Sequence, residues 1–339
     1  MTQFTTTRRA AIAGAAALLV AGRAARAAAP DGVKIGFFTE TKPTMIAKGL
    51  GWFEDAMKSK AAWTEYGSGA EINTAMVAGG CDIGLATGSV ATASGLAQGL
   101  PFQLIGMVDN IGPAEEMTIR KASGIKSPAD FKGKKVATPF GSTSHFRLLG
   151  FLKTNGLTQR DVTVLDMKPA AIVAAWSRGE LDAAYVWSPA KSKILADGGE
   201  VMKTYDALDK AGYVVADMII VRTAFGQQYP DAVVGFLQAY GRALDMWKKS
   251  PDEAAKEVAK QAGVSVETAM SDMKEYDFVP LVDQLGESWL GSPGKAGKFA
   301  GTLKSTADFL VEQKSIRSAP ALATFEKGIN TEFLKKAIG

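Results

Sequence analysis

The chain has 339 residues, long enough for two domains of ordinary size, and its 47% apolar and 22% charged residues are a globular composition without a low-complexity tract. The formal charge of +4 is concentrated at the start: Arg8, Arg9, Arg23 and Arg26 are the only charges in the first 27 positions, and the remainder balances 35 acidic residues with as many basic ones. A near-neutral body advertises no nucleic-acid or anionic-membrane surface, and a single cysteine excludes an intramolecular disulfide.

The first 27 residues read as an export signal. A basic start precedes an apolar stretch from Ala10 to Gly22, and small residues suit cleavage near Ala27. That stretch is shorter than the ~18–20 residues a membrane span needs. Arg8-Arg9 after threonines resembles a twin-arginine signal; a Sec signal containing two arginines is the alternative.

From there strands and helices alternate. VKIGFF (33–38) predicts a buried strand and PTMIAKGLGWFEDAM (43–57) a helix opened by Pro43. AAWTEYGSG (61–69) predicts a strand and loop, EINTAMVAGG (71–80) a helix ended by glycine, and CDIGLA (81–86) a strand before a small-residue helix. PFQLIGMV (101–108) is the next strand. This βαβαβ order implies a mainly parallel sheet covered on both faces.

The same grammar restarts downstream. SPADF (127–131) predicts a capped helical turn, KGKKVATP a strand, and 142–156 a helix ending at Asn155-Gly156. VTVLDM (162–167) and LDAAYVW (181–187) are strands around another helix. From Phe225 onward the chain is largely helical, and ADMIIVRTAF (216–225) predicts a strand returning to the first unit. Strands 116–122 and 218–223 then form a two-strand hinge between two α/β units.

Two loops at strand ends, Thr87-Gly88-Ser89 and Gly141-Ser142-Thr143, stand just before helices. A helix amino end presents unpaired N–H groups and the positive end of its dipole, so Gly88, Ser89, Ser142 and Thr143 could share a small anion across a cleft. A Ser or Thr there is otherwise only an N-cap. His145, the single histidine, sits beside three hydroxyls, but no G-x-S-x-G elbow is present and it reads as a supporting residue rather than a base. Cys81 reads as a packed thiol, and one cysteine with one histidine is too little for a typical zinc site. No cofactor and no metal are expected.

The stretches GKKVATPFGSTSHFRLLGFLKTNGL, PAAIVAAWSRGELDAAYVWSPA and DMIIVRTAF, together with AGGCDIGLATGSVATA, resemble the type II periplasmic solute-binding proteins of ABC importers, in the taurine and aliphatic-sulfonate group. TPF-ST-HF with AAYVWSPA looks more like the taurine branch than the alkanesulfonate or nitrate branches. The resemblance implies two doubly wound α/β lobes joined by a two-strand hinge, with the helical C-terminal part packed on lobe one. Its lobes would span 31–121 with 218–339, and 122–217, after an export signal at 1–27.

It further implies a monomeric periplasmic receptor, not an enzyme, that captures taurine or a related sulfonate and delivers it to the membrane permease subunits. It places an acidic residue at Asp217, where the ligand's ammonium would sit, and puts Glu40 in a strand-end loop facing the cleft. Trp187 either packs over the ligand or belongs to the core, and Glu115 is either a hinge partner or a surface carboxylate. The alternatives are a receptor for unaminated alkanesulfonates or another small anion, and, in a different class, an enzyme on the same fold such as a desulfinase or a pyrimidine-precursor synthase.

Overall fold

The computed structural model describes residues 29–339; the expected export signal at 1–27 lies outside the described residues. Eleven strands build two sheets. The first half of the chain supplies β1 (Gly32–Phe37), β2 (Lys60–Glu65), β3 (Ile83–Gly88) and β4 (Phe102–Asn110). Then come β5 (Glu116–Arg120), β6 (Lys135–Thr138), β7 (Thr163–Asp166), β8 (Ala183–Val186) and β9 (Gly199–Met202). The chain returns through β10 (Ala216–Arg222) and the short β11 (Asp277–Phe278).

Sheet one has the order β11-β4-β10-β3-β1-β2, and sheet two the order β7-β6-β8-β5-β9. Strands β1, β2 and β3 run parallel, as do β6, β7 and β8, joined by helices as the βα alternation requires. Antiparallel pairing comes from β10 between β3 and β4, from β5 between β8 and β9, and from the short edge strand β11 on β4. Strands β5 and β10 are the two that the sequence assigns to the hinge. Each is a full sheet member, and the chain passes between the sheets just before each, at 111–115 and 203–215.

Central strands are the apolar runs. Of β3, β4 and β10, nearly every residue is buried, because helices cover both faces. At the rims, β2, β7 and β9 are largely exposed, which suits their mixed composition. The predicted helix at 43–57 is two short ones, Thr44–Gly49 and Trp52–Met57. Gly51, at φ +70°, breaks it, a backbone state that costs a glycine little. Helix Pro230–Lys249 closes over this region, stacking Phe236 on Phe53 with ring centroids 4.3 Å apart. The C-terminal helices therefore pack on the first sheet's side, where the resemblance places them. Among the described residues no helix is long and apolar enough to cross a membrane.

Candidate functional site

The carboxyl ends of β1 and β3 face those of β6 and β8, the crevice in which open α/β sheets hold ligands. A small cavity of about 20 Å³ lies there, lined from one side by Glu40, Gly88 and Asp217 and from the other by Ser142, Thr143 and Trp187. Glu115, at the crossing before β5, closes it. At that volume, far below the ~300–1,000 Å³ typical of drug-sized pockets, the two halves are closed on it with room for little more than a water-sized group.

Two helices point their amino ends at this cavity: Ser89–Ala97 from sheet one and Thr143–Thr154 from sheet two. Ser142 caps the second, its Oγ accepting from the His145 N–H at 3.1 Å while donating to the Pro139 carbonyl at 2.6 Å. Thr143 Oγ1 donates to Glu115 Oε1 at 2.7 Å. Ser89 is different. It is fully buried with Oγ turned away to accept the Ala216 N–H at 3.2 Å, so it ties its helix to β10 and does not line the cavity.

Gly88 shows how closely the halves approach. A Cβ at this position would lie 2.8 Å from Thr143 Cγ2, a rigid β-branched methyl on the opposite half. Gly88→Ala is therefore expected to hold the halves apart. Small-angle scattering should give a larger radius of gyration than the wild type, while the unfolding midpoint changes little; an unchanged radius would contradict the described closure.

The cavity's charge is dominated by carboxylates around one buried lysine. Lys42, 1% exposed, donates from Nζ to Asp217 Oδ2 and lies 3.2 Å from Glu40 Oε1 and 3.0 Å from Asp109 Oδ2. The Tyr276 ring sits 4.4 Å below it. Burial opposes a charged Lys42, yet Asp109, Asp217 and Glu40 outweigh it and raise its pKa well above the ordinary value. Burial in turn pushes Asp109 up to about 8 despite Lys42, with Asp217 adding repulsion. Glu115 rises to about 7, again by burial first and the Asp217 charge second. Glu40 and Asp217 shift upward for the same leading reason. One oxygen each of Glu40 and Glu115, the two Oε2 atoms, has no hydrogen-bond partner among the described residues.

For the histidine and the cysteine burial outweighs the nearby charge, Asp166 for the first and Arg222 for the second. His145 stacks on Phe140 at 4.3 Å, and burial lowers its pKa to about 4. The Ser142 and Thr143 hydroxyls are committed elsewhere. Burial raises Cys81 to about 12, far from a reactive thiolate.

Thus the structure gathers Gly88, Ser142, Thr143, Trp187, Asp217, Glu40 and Glu115 around one cavity and leaves Ser89 outside it. Sequence reasoning leaves Lys42, Asp109 and Tyr276 out of the site. Asp109 left one signal, a carboxylate closing the apolar run of β4. Asp217 is also less free than its strand-end position implies, because Lys42 already holds one of its oxygens.

A taurine-binding periplasmic protein of Escherichia coli (strain K12) is 29% identical over 89% of this chain and 92% of its own length. A putative aliphatic sulfonates-binding protein of Bacillus subtilis (strain 168) is 28% identical over 94% of this chain and 93% of its own. In fold, the chain matches the alkanesulfonate-binding protein SsuA from Xanthomonas axonopodis pv. citri bound to MOPS, with a TM-score of 0.73 and 22% identity, covering 90% of this chain and 99% of that one. Residues 39–254, which include every residue lining the cavity except Phe38, match the NMT1/THI5-like family, and the chain belongs to it.

Proposed function

We propose that this chain is the periplasmic binding component of an ABC importer for small sulfonates, and that its ligand is taurine or a close aminoalkanesulfonate. Residues 1–27 would direct export, and the mature monomer would close on its ligand and present it to the permease. The observation that carries the reading is the pairing within one cavity of two helix amino ends with Glu40, Glu115 and Asp217, against a single lysine. Helix amino ends suit a sulfonate, a weak base that needs donors but no cation. The surplus carboxylate suits an ammonium. The names of the Escherichia coli and Bacillus subtilis relatives support the sulfonate class. The unreactive settings of His145 and Cys81 favour capture over nucleophilic chemistry.

Two or three charge-assisted hydrogen bonds of about 1.5–3 kcal/mol each, less the cost of immobilising a small ligand, correspond to dissociation constants near about 1 μM.

A second reading, an unaminated alkanesulfonate, is favoured by the upward shifts of Glu115 and Asp109, since protonated acids need no ligand cation. The pH dependence separates the two. An ammonium beside Glu115 lowers its pKa in the complex, so binding releases protons and affinity rises as pH passes upward through about 7. An unaminated anion raises that pKa, so binding takes up protons and affinity falls over the same window. Calorimetry between pH 6 and 8 should show taurine binding strengthening by about 3–10-fold, the range expected for one linked proton. Weakening over that range would sink the aminosulfonate reading.

A further inference from the structure

Outside the inner cavity lies a larger chamber of about 340 Å³, against about 20 Å³ within. It opens between the same two halves, lined by Tyr66 and Glu65 from one side and by Pro169, Val173, Lys168 and Lys193 from the other, with more apolar than polar surface. The two spaces share Phe38 and Trp187 as lining residues. Phe38 follows β1, Trp187 follows β8, and their rings meet edge to face with centroids 5.9 Å apart. Both are nearly buried, at 5% and 6% exposure, although each borders two open volumes.

An aromatic pair meeting across a cleft is a partition. Its members come from opposite halves, so the partition exists only when the halves are together. The outer chamber would otherwise accept what the inner cavity excludes: an apolar chain attached to a ligand already held at its polar end. We propose that the Phe38–Trp187 pair is the specificity determinant that limits ligand length, by shutting the inner cavity off from an apolar chamber able to take an alkyl chain carried on the amine of an aminosulfonate. The proposal rests on the aminosulfonate reading above. Specificity set by blocking is effective here because added methylenes gain affinity wherever apolar room is offered, so only a barrier rejects them.

The test compares taurine with N-butyltaurine, which keeps the two-carbon spacing of sulfonate and amine and adds an apolar chain, by calorimetry on the full mature chain. The wild type should bind taurine at least about 30-fold more tightly. Trp187→Ala should shrink that ratio by about tenfold or more, chiefly by improving the longer ligand. Ala170 lines the outer chamber and not the inner cavity, and is exposed. Ala170→Trp alone should leave taurine binding unchanged, and in the Trp187→Ala background it should cancel the gain for the longer ligand. If Trp187→Ala lacks a cooperative unfolding transition, Phe38→Leu opens the partition from the other side and should give the same gain.

Equal binding of both ligands by the wild type overturns the proposal. So does an unchanged ratio in a folded partition variant, or a gain that Ala170→Trp fails to cancel. Absence of taurine binding by the wild type overturns the aminosulfonate reading itself and this proposal with it; taurine binding with no length discrimination overturns the proposal alone.

Discussion

Lys42→Met should cost about 3–5 kcal/mol of folding stability, the largest effect expected of any single change near the site. The lysine is buried among Glu40, Asp109 and Asp217, and its removal leaves three carboxylates facing one another without a cation. Methionine matches its length and apolar stem, so packing loss is a small part of the effect. The sign with pH follows from the carboxylates. Without Lys42 their pKa values rise further above the unfolded ones, so their stabilising contribution survives only at low pH and is lost as pH increases. The deficit measured by urea unfolding should therefore be larger at pH 8 than at pH 5. Adding Asp109→Asn should recover part of it, since Asp109 is fully buried and its Oδ2 lies 3.0 Å from the lysine. A loss below about 1 kcal/mol would mean that the three acids are already protonated in the native state.

Glu115→Gln should weaken taurine by about 10–100-fold, equivalent to one charge-assisted hydrogen bond of about 1.5–3 kcal/mol, and should weaken ethanesulfonate much less. The glutamine carbonyl can still accept from Thr143 Oγ1, which Glu115 Oε1 now does at 2.7 Å, so the geometry of the helix amino end is preserved. What changes is the charge, and with it the Oε2 atom that faces the cavity region without a protein partner among the described residues. Asp217→Asn is a less clean test of the same point. Its carboxylate also neutralises Lys42, so a ligand effect would be mixed with lost stability. Equal loss for both ligands with Glu115→Gln would place the side chain in a structural role and remove it from ammonium recognition.

How far the sequence could be read depended on whether the relevant physics was local. The βα alternation and the buried runs of β3, β4 and β10 are short-range patterns, and the sheets follow them, whereas the reading of one helix over 43–57 passes over the break that Gly51 makes. Glu40, Gly88, Ser142 and Trp187 could be picked out because strand ends before helices are where such folds open their clefts, and the structure brings these ends together. Ser89 could not be placed this way. Whether its hydroxyl faces the cavity or the neighbouring strand depends on helix phase against β10, which pairs with β3 from far along the chain. The lysine-centred cluster was equally hidden: Lys42 comes from the loop after β1, Asp109 from β4, Asp217 from β10, and Tyr276 from beyond a C-terminal helix. In one dimension Lys42 looks like a charge that spoils an acidic loop. In three it is the group that makes a buried acidic site tenable.

The central claim is that one cavity holds a sulfonate at two helix amino ends and an ammonium among carboxylates. Calorimetric titration of ligand-free protein at pH 7 with taurine and with ethanesulfonate, each in two buffers of different ionisation enthalpy, tests it most directly. The account predicts taurine binding near the micromolar level with release of protons, and ethanesulfonate binding at least about tenfold weaker without release. Ethanesulfonate binding as tightly as taurine, or taurine binding with proton uptake, would contradict it.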